Sequence, residues 1–156
     1  MSPLRILVLI VSLLALAGCQ GESHGGEPTS GHDLGADAEA GLPIVVAFFS
    51  HDCPYCRFVK EQHLEPRERE VAAGDYAPTL FRVVDINSGE SMVDFDGESI
   101  SARDFARRHG ARFTPTLKFF DPRGEEQAEP LIGVSSEDYY GGHLDERIAQ
   151  VRATLD

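Results

Sequence analysis

Cysteine is scarce in this sequence, with only Cys19, Cys53 and Cys56 among 156 residues. Two of the three are separated by two residues, and the third lies far from them. A zinc site held by four cysteines therefore has too few ligands. The chain is left with one closely spaced cysteine pair and one single cysteine, and each needs its own explanation.

Basic residues are also few. The chain has 14 lysines and arginines against 26 acidic residues, which gives a formal net charge of −12 at pH 7. The phosphates of nucleic acids and anionic lipid headgroups would repel such a chain. The composition therefore predicts no nucleic-acid partner and no membrane adhesion through charge.

Long apolar runs are missing except near the N-terminus, where Arg5 precedes the apolar stretch 6–17. This stretch is typical of a secretory signal and is shorter than a membrane-spanning helix requires. It ends in Leu16-Ala17-Gly18-Cys19, which resembles the lipobox of bacterial lipoproteins. In that family the chain is cut before the cysteine, and the cysteine is acylated.

The lipoprotein resemblance implies a signal peptide over residues 1–18, a lipid on Cys19, and a periplasmic protein anchored to a bacterial membrane. Gln20 after the cysteine favours the outer membrane. A lipid on Cys19 also explains why an exported chain has an odd number of cysteines. An ordinary signal peptide and an uncleaved anchor are the alternatives.

The remaining pair forms the motif Cys53-Pro54-Tyr55-Cys56. The motif follows an apolar run, 43–49, that is typical of a buried strand, and precedes residues 57–71, which we predict as a helix. Cys53 then starts the helix, where unpaired amide groups favour a thiolate, and Cys56 is placed one turn on to close a disulfide. The motif predicts thiol–disulfide exchange.

The rest of the chain predicts one folded domain over residues 41–156, preceded by a flexible tether that starts at the lipidated Cys19 and runs over residues 20–40. The tether includes a short helix near residues 33–40. Within the domain we predict strands at residues 79–86 and 116–120 with a hairpin partner at 131–134, a polar loop at 87–99, a helix at 100–109 with Ser101 as its N-cap, and a closing helix at 140–155.

This order of elements around a Cys-x-x-Cys motif resembles the thioredoxin fold, an α/β fold with a central mixed β-sheet flanked by helices. A second motif, Phe113-Thr114-Pro115-Thr116, precedes the third strand. Thioredoxin-like proteins carry a cis-proline there beside the redox pair, although a cis bond is otherwise uncommon.

The resemblance implies that Cys53 attacks a substrate disulfide and that Cys56 resolves the mixed disulfide. It implies that the Cys53–Cys56 disulfide replaces any cofactor and that no metal is needed. It further implies a substrate-binding surface formed by Pro54, Tyr55, Thr114 and Pro115.

Two sequence differences separate this site from an ordinary thioredoxin site. Ala47 stands where thioredoxins carry a buried acid, and Asp52 replaces the tryptophan that usually precedes the first cysteine. Two other functions remain open: a copper or other metal chaperone that uses His51, Cys53 and Cys56, and a binding module without catalysis.

Three features predict the direction of electron flow: the two residues between the cysteines, the basic residues around the motif and the length of the chain that follows it. The Pro-Tyr insert matches glutaredoxins, but no basic cluster for glutathione carboxylates is evident from the sequence. The interval between Val71 and Thr116 is too short for the inserted domain that is typical of an oxidase or isomerase, which favours reduction and leaves a disulfide oxidase or isomerase as the alternative. The chain is most similar to periplasmic thioredoxin-like reductases, which implies protein disulfide substrates and a membrane electron donor of the DsbD/CcdA type.

Overall fold

A four-stranded mixed sheet lies at the centre of the structure, a computed structural model that describes residues 33–155. In chain order the elements are α1 (Leu34–Ala38), β1 (Ile44–Phe49), α2 (Pro54–Val59), a π-helical turn (Lys60–Leu64), α3 (Glu65–Ala73), β2 (Leu80–Asp85), β3 (Ser91–Val93), β4 (Ser99–Ser101), α4 (Ala102–Arg108), β5 (Thr116–Phe120), β6 (Glu126–Ile132) and α5 (Glu137–Arg152).

The strand order in the sheet is β2-β1-β5-β6. Strand β1 runs parallel to β2 and antiparallel to β5, and β6 is antiparallel to β5. The register of the parallel pair ends at Phe49 opposite Asp85. The carboxyl ends of β1 and β2 therefore lie at the same end of the sheet, where the Cys-x-x-Cys motif follows. This arrangement confirms the predicted α/β fold.

Strand β1 is the centre of the core because all six of its side chains are buried. Alternate side chains of a strand point to opposite faces of the sheet. Val45 and Ala47 pack into a cluster that includes Cys56 and the apolar face of α5. Val46 and Phe48 pack into a second cluster with α1 and α4. A strand that is buried on both faces explains the unbroken apolar run in the sequence.

The helix after the motif is longer than predicted and is interrupted. It begins at Pro54 rather than at Arg57 and continues through the π-helical turn to the end of α3. Pro66 has no amide hydrogen for an α-helical bond, and the wider π turn ends two residues before it. The helix ends at Gly74, whose φ of 81° is readily adopted only by glycine.

The predicted polar loop at 87–99 is wrong in part, because β3 and β4 form an antiparallel hairpin there. Met92 on β3 is buried, so this short hairpin contributes to the second cluster. The helix predicted from residue 100 accordingly starts later, at Ala102. Ser101 is its N-cap, as predicted: its side chain accepts a hydrogen bond from the amide of Asp104 at 3.1 Å.

The partner of β5 is also longer than the predicted segment 131–134. Strand β6 starts at Glu126 and ends at Ile132, and Gly133 follows with a φ of 69°. Its polar residues obscured the strand in the sequence, since an edge strand with one solvated face carries few apolar residues. The closing helix starts at Glu137 and ends at Arg152, earlier at both ends than predicted. It buries Tyr140, Leu144, Ile148 and Val151 as expected, whereas Leu155 lies beyond its end and is 38% exposed.

Helix α1 confirms the short helix predicted near residues 33–40, but it packs on the domain and does not belong to a free tether. Leu34 is fully buried in the second cluster, and the carboxylate of Asp37 accepts a 2.6 Å bond from Nε of Arg82 on β2. The packed part of the chain therefore starts at least as early as Asp33, ahead of the predicted boundary at Gly41. Cys19 and the predicted signal peptide lie outside the described residues.

Among residues 33–155, no helix has both the length and the apolar character needed to cross a membrane.

Candidate active site

Cys53 and Cys56 form a disulfide at the corner between β1 and α2, with their Cα atoms 5.1 Å apart. Cys53 is the N-cap of α2, and its sulfur accepts a hydrogen bond from the amide of Cys56 at 3.1 Å. Pro54 fits the first turn because an amide there has no partner within the helix. The sulfur of Cys53 therefore lies where a helix stabilises negative charge.

The two sulfurs differ in accessibility. Cys56 has only 3% of its surface exposed and belongs to the cluster around β1, whereas Cys53 is half-buried at the edge of the same cluster. An incoming sulfur can therefore reach Cys53 but not Cys56. This asymmetry is what a nucleophile and a shielded resolving thiol require.

The loop before β5 lies beside this motif. The peptide bond between Thr114 and Pro115 is cis, as predicted. The hydroxyls of Thr114 and Ser50 are 3.0 Å apart, and Ser50 follows β1 directly. The carbonyl of Pro115 accepts a 2.8 Å bond from the amide of Gly133 after β6. Hydrogen bonds thus join three distant parts of the chain: the loop that carries the cysteine motif, the loop before β5 and the end of β6.

The backbone of Thr114 is open to a partner. Its N–H and C=O groups make no hydrogen bond to any residue between positions 33 and 155. The carbonyl of the preceding Phe113, by contrast, accepts a 2.7 Å bond from the hydroxyl of Thr116. An unpaired amide and carbonyl at the rim of a site can pair with an extended polypeptide.

Exposed apolar side chains lie on the cysteine motif, on the loop before Pro115 and at the end of β6. Tyr55, between the cysteines, is 53% exposed, Phe113 is 70% exposed, and Ile132 is 61% exposed next to Gly133. Large apolar side chains at this level of exposure mark interaction surfaces when they are grouped. The sequence prediction included Tyr55 but missed Phe113 and Ile132. Phe113 could have been predicted, because it directly precedes Thr114 in the sequence. Ile132 could not, because only the pairing of β6 with β5 brings it near this loop.

A cavity of about 390 Å³ is lined by Cys53 and Cys56, among other residues. Its walls carry charged groups of both signs, supplied by α2, the π-helical turn and the end of β2: Arg57, Lys60, Glu61 and Asp85. Ala47 is fully buried in the same cluster as Cys56 and faces Val83 in register, so these neighbouring positions hold no carboxylate. The charged groups that line the space next to Cys56 come instead from the cavity walls.

His51 and Asp52 are exposed in the loop before Cys53, and His51 borders the cavity. Within residues 33–155, no group of three or more histidine, cysteine or acidic side chains has the arrangement of a metal site.

A redox-active disulfide at the start of a helix, next to a cis Thr–Pro bond and on a mixed sheet of this topology, defines the thioredoxin-like class of proteins. Residues 32–147 match the family described as thioredoxin-like domain, and the chain belongs to this family. The fold and the close cysteine pair support thiol–disulfide oxidoreductase chemistry.

Solved structures agree with the fold. A poplar thioredoxin h mutant is 17% identical, with 84% of this chain and 91% of that chain covered and a TM-score of 0.55. The wild-type poplar thioredoxin h is 20% identical, with 79% and 85% covered and a TM-score of 0.51. No curated protein sequence matches the chain.

Proposed function

We propose that this protein is a lipid-anchored periplasmic thiol–disulfide oxidoreductase that reduces disulfides of specific protein partners. The observation that carries the proposal is the asymmetry of the cysteine pair. The sulfur of Cys53 is reachable and accepts a hydrogen bond from a helix amide, whereas Cys56 is buried behind it.

The reaction starts from the dithiol. The thiolate of Cys53 attacks one sulfur of a substrate disulfide; a bond forms between the two sulfurs, and the second substrate sulfur leaves as a thiolate and takes up a proton. Cys56 then loses its proton and attacks the sulfur of Cys53, which releases the first substrate sulfur as a thiol. The substrate gains two electrons and two protons, and the protein is left with the Cys53–Cys56 disulfide.

The substrate segment lies against the open backbone of Thr114, beside Pro115, with Pro54 and Tyr55 on the other side of its cysteine. Two features support this arrangement: the unpaired amide and carbonyl of Thr114, and the exposed side chains of Tyr55, Phe113 and Ile132. A dithiol donor then restores the reduced pair by the reverse exchange. For an exported protein, we propose a membrane donor of the DsbD/CcdA type.

The lipid anchor rests on the sequence around Cys19, which resembles a lipobox. Mass spectrometry of the mature N-terminus tests it. We expect an acylated Cys19 as the first residue, and a free terminus further along the chain would contradict the anchor.

Insulin reduction tests the catalytic proposal. We expect Cys53→Ser to abolish reduction, and Cys56→Ser to accumulate mixed disulfides through Cys53 in cells. Undiminished insulin reduction by Cys53→Ser would overturn the assignment. The reduction potential of the pair tests the direction, because a value near −120 mV, typical of a strong oxidant, would identify an oxidase instead.

A further inference from the structure

A second pocket, distinct from the cavity at the disulfide, is lined by three arginines. It has a volume of about 340 Å³; Arg103, Arg107 and Arg112 line it together with Ile86, Ala106 and Ala111. In a chain with 14 basic and 26 acidic residues, three arginines in the lining of one pocket are unexpected. The three arginines are spread over residues 103–112 of the sequence, and folding brings them to one pocket.

The positive charge of this pocket, which we call the arginine pocket, is mostly unpaired. Arg112 makes no hydrogen bond or ion pair within the described part of the chain, and Arg103 donates to the backbone carbonyl of Asn87 at 2.7 Å. Arg107 alone has an acidic partner, Asp104 at 3.0 Å, and both side chains are more than half exposed. Such an exposed ion pair contributes little to stability, so Arg107 can readily exchange Asp104 for another carboxylate.

Stabilisation of helix α4 does not explain the cluster. Cations in the last turn of a helix interact favourably with its free carbonyls, and Arg107 lies there. Arg103 lies in the first turn, however, and Arg112 lies beyond the end of the helix. The dipole of α4 thus accounts for one of the three arginines at most.

The arginine pocket adjoins the redox site along two paths of the chain. Ile86 directly follows Asp85, which lines the cavity at the disulfide. Arg112 directly precedes Phe113 and Thr114, and Thr114 is hydrogen-bonded to Ser50 in the loop before Cys53. Both pockets therefore lie at the carboxyl ends of β1 and β2.

We infer that the arginine pocket binds carboxylate side chains of the client polypeptide, close to the disulfide that Cys53 attacks. This inference rests on the proposed function and adds a substrate class to it: disulfides with acidic residues nearby in the sequence. Guanidinium groups match carboxylates in shape and can bind them through two parallel hydrogen bonds.

The geometry favours a polypeptide as the source of the carboxylates. A segment paired with the open backbone of Thr114 continues past Phe113 towards Arg112. An extended chain advances about 3.3 Å per residue, so an acidic residue two or three positions from the client cysteine is displaced by roughly 7–10 Å from it. The apolar floor of the pocket can receive the methylene groups of a glutamate side chain.

Binding of two peptides tests the inference independently of turnover. Both carry serine in place of cysteine; one has glutamates near this position, and the other has glutamines. We expect the full-length protein to bind the glutamate peptide about tenfold more tightly at low salt, measured by fluorescence anisotropy, with the difference shrinking at high salt. Arg112→Gln should reduce this preference about threefold, and Arg107→Gln combined with Arg112→Gln should abolish it.

Arg69→Gln is the matched control, because it removes the same charge from an exposed position on α3. Equal binding of the two peptides, or an equal loss of preference in Arg69→Gln, would overturn the inference. Glutathione disulfide serves as a competitor. If it binds with the same dependence on Arg112 and more tightly than the glutamate peptide, the pocket serves a small anion and the polypeptide assignment is wrong.

Reduction of two further peptides separates this inference from the proposed function. They have the same glutamate and glutamine sequences but keep the cysteine, which is oxidised to a disulfide. Faster reduction of the glutamate form, with the difference lost in the double variant, supports both. Equal reduction of the two forms supports the oxidoreductase and contradicts the role of the pocket. Selective binding without any reduction would support the pocket as a carboxylate site and contradict the proposed function.

Discussion

The hydroxyl of Ser50 lies 3.0 Å from the hydroxyl of Thr114, and this contact joins the loop that carries Cys53 to the loop that carries Pro115. The two residues are 64 positions apart in the sequence. One loop supplies the reacting sulfur and the other supplies the unpaired backbone proposed to hold the substrate. Their separation therefore decides how a bound segment presents its disulfide to Cys53.

The Ser50–Thr114 contact can be tested with Ser50→Ala, Thr114→Val and the double variant. We expect a coupling of about 1 kcal/mol in the free energy of unfolding, measured with urea. We also expect kcat/KM for insulin to fall roughly three- to tenfold, because the two loops lose their fixed spacing. Thr154→Val is the control, since its hydroxyl bonds to Val151 at the end of α5. Additive effects of the two changes would contradict a direct contact.

The two cysteines should differ in their reactivity with iodoacetamide once the protein is reduced. We expect Cys53 to be alkylated about tenfold faster than Cys56 or more, because Cys56 is only 3% exposed and Cys53 lies at the helix start. Peptide mass mapping measures the two rates and separates both from Cys19. In concentrated urea the rates should become similar. Equal rates in the folded protein would argue against a nucleophile and a resolving thiol.

Phe113 should contribute to client binding and not to stability, because it is 70% exposed. We expect Phe113→Ala to change the free energy of unfolding by about 0.5 kcal/mol or less. The KM for a protein disulfide should rise roughly three- to tenfold, while the rate with a small aromatic disulfide should stay unchanged. Leu155→Ala, at the exposed C-terminal end, is the control. An equal loss with the small disulfide would indicate that Phe113 affects the chemistry itself.

Glu68 on α3 should make stability depend on pH. Burial raises its pKa to about 6, with a further increase from Glu65 that the positive charge of Arg82 opposes. Because the folded state holds this proton more tightly than the unfolded state, the free energy of unfolding falls as pH rises from about 4.5 to 6. At pH 7, Glu68→Gln should therefore be the more stable protein, by about 1 kcal/mol once solvent screening of this half-buried group is considered.

Urea unfolding of Glu68→Gln and of the wild type at pH 4 and pH 7 measures this effect. The two proteins should differ little at pH 4, where Glu68 is protonated in both states. The control is Glu70→Gln, because Glu70 is exposed on the same helix. A variant that is less stable than the wild type at pH 7 would show that the attraction to Arg82 outweighs the cost of burial.

The features that depend on residues close together in the sequence could be predicted. The apolar run of β1, the cysteine pair after it and the cap at Ser101 are local patterns, and each lies where expected. The cis bond before Pro115 was predicted only through the resemblance to the thioredoxin fold. The β3–β4 hairpin was missed, because each of its strands has three residues and a pattern this short carries no clear period.

By itself, the sequence determined the reactive group and its immediate surroundings. A strand followed by Cys-Pro-Tyr-Cys and a helix places the sulfur of Cys53 at helix amides, because residues three apart meet within one turn. Only the tertiary structure decided what surrounds that sulfur. Four features depend on the packing of separate elements, which local sequence patterns do not encode. They are the burial of Cys56, the contact between Ser50 and Thr114, the exposed Phe113 and Ile132, and the arginine pocket.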